Sequence, residues 1–247
     1  MTQMIQSRIS AFWGPRAQSV DESAEIVSVF LSSLAAVDFS LDNWRERAST
    51  KTEATKKPLI NDPARLSDLL SSGRNRRDDN GNVIAELGYS IGLWNGDVVS
   101  DASVNIHIGA TSQWVQNSVS ITLPDPAVRP DLYKYDSART VLTLIINAFH
   151  PDRAVWTNSV LTKQQTEPDS LTDDGGYILG QLVGHPAGWG TFLADESSVM
   201  FDQDLLPESA KVERVNSGLL VIVGDEPGNP SIEDVLQIRR AMGYEVP

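Results

Sequence analysis

An α+β fold is what this sequence predicts: an antiparallel β-meander packed with helices, its helices and antiparallel strands mixed in two lobes. Three observations carry that expectation. Apolar residues recur at helical spacing near residues 26–34, 138–149 and 232–242. Three neighbouring runs between residues 83 and 123 alternate with a period of two, the pattern of strands with one buried face. The stretch PDPAVRPD, residues 124–131, holds three prolines and marks the boundary between lobes. With 247 residues, 40% of them hydrophobic, the chain can bury a core without staples, so residues 1–247 read as a single domain with its lobes split near 124–131.

Taken in order, residues 4–13 alternate, end in Phe12 and Trp13, and meet Gly14 and Pro15, which predicts an opening strand. Ser19 and Glu22 have the spacing of a capping box, and Ile26, Val27, Phe30, Leu31 and Leu34 form one helical stripe reaching about Val37. Trp44 is expected to cover the core edge beneath a loop. Residues 45–57 are polar on all sides and read as a mobile, solvated segment. Pro63 then sits just inside a second helix capped by Asn61 or Asp62, with Leu66, Leu69 and Leu70 inward and Gly73 in the stop position.

From Gly73 the chain runs GRNRRDDNG and then alternates through Val83, Ala85, Leu87, Tyr89, Ile91 and Leu93, expected to be one central strand closed by a hairpin turn at Asn95 and Gly96. Residues 102–110, with Val104, Ile106 and Ile108 on one face and His107 on the other, and residues 115–123 complete the meander. Ala138, Val141, Leu142, Ile145 and Phe149 predict a helix ended by Pro151, with His150 at its negative end. A strand follows over 153–161, then a polar, acidic turn over 164–176. Short strands are expected at 177–182, 189–194, 212–215 and 219–223, and a final helix capped by Ser231 buries Ile232, Val235, Ile238 and Met242.

Charge narrows the function. The net charge of −13 argues against direct nucleic-acid binding, because phosphate contacts need a cationic face, and favours a basic partner instead. No Lys or Arg occurs between Lys163 and Lys211, an interval holding Glu167, Asp169, Asp173, Asp174, Asp195, Glu196, Asp202, Asp204 and Glu208. That interval is either a set of solvated loops or a binding surface. The absence of cysteine removes disulfides and thiolate metal sites. No window is apolar enough to span a membrane and no signal-peptide pattern opens the chain, so a cytoplasmic protein is expected.

Four constellations could carry chemistry. Gly88-Tyr-Ser-Ile-Gly92 matches the G-x-S-x-G nucleophile elbow, but the alternation continues through Ser90 with no helix after it, so a strand serine is the plainer reading. His107, His150 and His185 lack second ligands at metal spacing, and Asp78-Asp79 and Asp173-Asp174 lack a cation-binding loop, so no metal or cofactor is expected. The arginines Arg74, Arg76 and Arg77 could hold phosphate or pair with Asp78 and Asp79 to rigidify the turn; the structural role is favoured, with Gly81 and Trp94 part of the same scaffold.

FWGPR at residues 12–16, GRNRRDDNG at 73–81, ELGYSIGLWNG at 86–96 and NSVSITLP at 117–124 together resemble the immunity protein 52 family of bacterial polymorphic toxin systems. GWGTFL at 188–193 and GLLVIVGDE at 218–226 are similar to its C-terminal half. The resemblance implies a non-enzymatic antitoxin of the producing cell, which neutralises a cognate toxin delivered by contact-dependent (type VI) secretion through stoichiometric binding. The toxin it implies is a nuclease with a restriction-endonuclease-like fold. It brings no catalytic residues. On the charge argument, the toxin contact is expected at Glu167, Asp169, Asp173, Asp174, Asp195, Glu196, Asp202 and Asp204. A serine hydrolase using Ser90 and an adaptor unrelated to toxins are the alternatives.

Overall fold

The structure, a computed structural model, describes residues 7–60, 62–174 and 176–246. Nine strands form one antiparallel sheet: β1 (Ser7–Trp13), β2 (Arg45–Glu46), β3 (Tyr89–Trp94), β4 (Ser103–Ile108), β5 (Asn117–Thr122), β6 (Arg153–Asn158), β9 (Gly190–Ala194), β10 (Ala210–Val215) and β11 (Gly218–Val223). Their spatial order is β10-β11-β9-β6-β1-β5-β4-β3-β2. β7 (Ser170–Leu171) and β8 (Tyr177–Ile178) pair separately as a small hairpin. The helices are α1 (Val20–Val37), α2 (Lys51–Ala54), α3 (Pro63–Ser72), α4 (Tyr135–Phe149), α5 (Ser159–Gln164) and α6 (Ile232–Ala241). This is the α+β class the sequence predicts, and β3, β4 and β5 form the expected meander.

The alternation of each strand assigns its faces. Ile9, Ala11 and Trp13 point to the same side as Leu93, Val104, Ile106, Val119, Ile121, Trp156 and Phe192, and α1, α3 and α4 close over them. Trp13 stacks on Phe149 at 5.5 Å, and Trp156 meets Trp189 edge-on at 5.5 Å, so large aromatic surfaces fill the layer between sheet and helices. The opposite face is divided. Over β6, β9 and β11 it is apolar, and Leu193, Val221 and Val223 pack with Leu161 of α5 and with Val235 and Ile238 of α6. Over β1, β3, β4 and β5 it carries Ser10, Ser90, Asn105, His107, Ser118 and Ser120 in register, and toward the β2 edge the segment through α2 reaches over it, with Arg47 donating to Asn105 at 3.1 Å and Lys51 standing over the Trp94 ring.

Local signals explain most of the elements. Ser19 Oγ accepts from the Glu22 amide at 3.2 Å while Glu22 accepts from the Ser19 amide at 2.8 Å, completing the capping box of α1. Asp62 caps α3, accepting from the Arg65 amide at 2.8 Å, whereas Asn61 lies outside the described residues, as do residues 4–6 of the expected first strand. Trp44 is buried and donates to the Leu41 carbonyl.

Several expectations need correction. Residues 45–57 are ordered: β2 pairs with β3, α2 buries Ala54, and the Arg45 guanidinium donates to the Lys57 carbonyl. The run from Val83 to Leu93 is not one strand. Val83 bridges to Arg76, Ala85–Leu87 is a 3₁₀ turn, Gly88 takes φ +64°, and only Tyr89–Trp94 joins the sheet. Nor is β3 central; it is second from the edge, and β1 holds the middle. Asn95 opens a longer loop instead of a two-residue hairpin. Buried, it donates to the Ser40 and Ser100 carbonyls and accepts from the Asp97 and Ala102 amides. The strand at 153–161 stops at Asn158, which accepts from the Leu161 amide at 2.9 Å and starts α5. His150 sits past the end of α4 in a left-handed conformation, and the cation that serves that helix end is Arg16, donating to the carbonyls of Phe149 (2.6 Å) and His150 (2.9 Å).

Candidate functional site

The interval between Lys163 and Lys211, free of Lys and Arg, carries exposed carboxylates. All eight carboxylates expected to meet a partner are exposed, but they fall into three places. Glu167, Asp169, Asp173 and Asp174 belong to the β7–β8 hairpin. Asp195 and Glu196 follow β9, where the Asp195 amide donates to Ser217 at the β10–β11 turn. Asp202 and Asp204 lie in a 3₁₀ turn tied to the end of α6 by the Asp202 amide and the Ala241 carbonyl, 2.7 Å apart.

Within these groups the carboxylates divide by task. Asp169 accepts from the Tyr177 hydroxyl at 2.5 Å and from the Gly180 amide at 2.8 Å, and these bonds, the hydroxyl's first, hold its carboxyl below the usual aspartate range. Asp174 accepts from the Thr172 hydroxyl and the Gly176 amide, which lowers its pKa likewise. Asp195 pairs with Arg214, and Asp202 caps its own turn by accepting from the Asp204 amide. Glu167, Asp173, Glu196 and Asp204 have no side-chain hydrogen bond or ion pair among the described residues. Composition reveals where the acids are; which of them are free for a partner depends on donors brought up by the turn.

The arginine-rich stretch is a second hairpin, fastened to the sheet. Arg74 bridges to Tyr89 and stands over its ring at 5.2 Å, and Arg76 bridges to Val83 and donates to the Gly81 carbonyl at 3.1 Å. Among the described residues no ion pair joins Arg74, Arg76 or Arg77 to Asp78 or Asp79, so the internal compensation expected between them is replaced by backbone and ring contacts. Arg77 lines an open cleft of about 750 Å³ beside the start of α1, but Glu22 and Glu86 line it too, and it has no single sign of charge to offer an anion. Trp94 donates to Asp101 at 2.6 Å and lies under Lys51, which pairs with the same carboxylate at 2.8 Å.

Ser90 and His107 face each other on β3 and β4, with Ser90 Oγ 2.7 Å from His107 Nδ1. Spacing alone did not suggest this contact. Burial lowers the His107 pKa, and its Nε2 is buried with no hydrogen-bond partner, so no carboxylate orients the ring. Ser90 keeps regular strand pairing, without the turn and helix of a nucleophile elbow. Among the described residues no three His, Asp or Glu side chains converge as a metal requires, and no helix is long and apolar enough to cross a membrane.

A family model described as immunity protein 52 matches residues 8–231. The chain belongs to the immunity protein 52 family. Among curated proteins nothing matches this immunity protein. Among solved structures it is similar in fold to the Pseudomonas aeruginosa T6SS protein PA0821, with a TM-score of 0.53 and 10% identity over 97% of this chain and 72% of that one. The matched region of the immunity protein runs from β1 through the loop before α6, so it takes in the arginine hairpin and the acidic interval alike.

Proposed function

We propose that this immunity protein neutralises a cognate nuclease-type toxin by stoichiometric binding, without catalysis, in the cytoplasm of the producing cell. The observation that carries this reading is the exposure of every carboxylate in an interval free of cations. A nuclease must be cationic around the cleft that holds phosphates, and an acidic inhibitor is steered onto such a surface and competes for it. The whole chain acts as one domain, and the residue 124–131 connection is where its lobes divide. Substituting Glu167, Asp173, Glu196 and Asp204 with lysine, in complex with the toxin domain encoded by the neighbouring gene, should slow association and flatten its salt dependence. Unchanged affinity and an unchanged salt slope would remove this surface from the contact.

A second reading, a hydrolase using Ser90, rests on the Ser90–His107 contact. A serine-reactive fluorophosphonate separates the two. Labelling lost in Ser90→Ala would support hydrolysis, and an unlabelled wild-type protein would end that reading.

A further inference from the structure

The β7–β8 hairpin is acidic, and among the described residues it also carries the densest run of exposed apolar side chains in the chain. Leu171 (72% exposed), Tyr177 (65%), Ile178 (49%), Leu179 (68%) and Val183 (54%) all fall within it or just past it. The register places Leu171 opposite Tyr177, and alternation puts Leu179 on that same side, so the three make one apolar face. Ile178, opposite Ser170, points the other way. Among the described residues the hairpin pairs with no strand of the main sheet, and Leu171, Tyr177 and Leu179 stay exposed on this face. A two-stranded hairpin is marginal in water, yet this one is held in shape by polar bonds alone: Asp169 to Tyr177 and Gly180, Thr172 to Gly176, and Glu167 to Gln181.

An apolar centre with a polar, charged rim is the anatomy of a protein-binding patch. Here the rim is Glu167 and Asp173, both exposed, on a hairpin without one cation. We infer that the Leu171–Tyr177–Leu179 face is the anchor of the toxin contact, seated in an apolar recess ringed by basic side chains on the toxin. This inference rests on the neutralisation reading above and adds to it which residues hold the complex once charge has brought it together. Anchor and rim then have separate signatures: the rim sets the association rate and its salt dependence, and the anchor sets the dissociation rate with little effect of salt.

The test uses the full chain and the toxin domain encoded by the neighbouring gene, by surface plasmon resonance at low and high salt. The double variant Leu171→Ser with Leu179→Ser should raise Kd about 30-fold or more, through faster dissociation at both salt concentrations. Ile178→Ser, on the other face of the hairpin, and the exposed pair Val98→Ser with Val99→Ser should stay within about threefold of the wild type, as single rim positions do. Thermal unfolding identical to wild type verifies that each variant is folded. In the wild-type complex, hydrogen exchange at residues 170–179 should slow. Wild-type affinity for the double variant, or unchanged exchange in the hairpin, overturns the anchor while leaving neutralisation standing. A wild-type chain that does not bind this toxin overturns both.

Discussion

Two hairpins flank the main sheet, and they are fastened in opposite ways. The arginine hairpin, residues 74–83, continues directly into the sheet: the Ser90 amide donates to Gly73, the Ile84 amide to Asn75, and Glu86 accepts from both Thr111 and Ser112. The acidic hairpin is closed on itself, and at its base Arg239, buried, donates to the Gln165 and Val183 carbonyls. Both are charged turns in the sequence. The difference teaches that charge in the sequence does not tell how a hairpin is fastened; its bonds to the sheet do. A hairpin bonded into the sheet spends its side chains on its surroundings, while one tied at the base leaves Glu167, Asp173, Leu171 and Leu179 exposed.

The same lesion beside each hairpin, at Gly88 where the arginine hairpin leads into β3 and at Gly180 just past β8, is the strongest test of that contrast. Gly88 has φ +64°, and a Cβ there would lie 2.4 Å from the Ile108 carbonyl oxygen; at Gly180 a Cβ would lie 1.6 Å from the Glu167 oxygen. Gly88→Ala should lower global stability by about 3 kcal/mol or more in urea unfolding. Gly180→Ala, despite the closer contact, should cost less than about 1 kcal/mol globally, because the distortion stays in a separately opening hairpin. Equal losses would break the comparison.

Smaller effects sharpen it. Asp62→Ala removes the cap of the helix that leads into the arginine hairpin and should cost about 1 kcal/mol by the same measurement. The acidic hairpin should respond to pH instead. The folded Asp169 pKa is depressed by Tyr177 and Gly180, so its stabilisation is complete above the unfolded aspartate value and is lost as pH falls through the lower folded value. Exchange protection at the Gly180 amide should therefore fall below the usual aspartate range while the β1 amides keep theirs, and Asp169→Asn should abolish the pH dependence. The smallest effect is expected from Asp78→Ala with Asp79→Ala, within about 0.5 kcal/mol, since neither carboxylate is paired with the neighbouring arginines. A larger loss in thermal unfolding would restore the ion-pair reading.

What could be read in the sequence follows from the range of the forces involved. Capping at Ser19, Asp62 and Ser231 and the stripes of α1, α4 and α6 depend on neighbours a few residues away, and they were legible. The alternation in β4 and β5 was legible for the same reason. It misled at Val83–Leu87, because a period of two assigns a face only if the backbone stays extended, and the left-handed Gly88 ends that condition. α5 has six residues, too few for a periodic stripe; Asn158 as a cap was its one local mark. The acidic interval was visible as composition. Its apolar face was not, because Leu171 and Tyr177 become neighbours only through the turn between them.

The place of β1 in the sheet has a consequence in time. It is synthesised before either of its neighbours, and one partner of Ser10, Ser120, follows 110 residues later, with β6 later still. Throughout that interval Ile9, Ala11 and Trp13 form an apolar strand with two open edges inside a growing chain. Closure of the sheet waits on distant contacts, so folding should be slow for a chain of this size, and a nascent chain halted before Arg153 would expose the middle of its own core to any passing strand or chaperone.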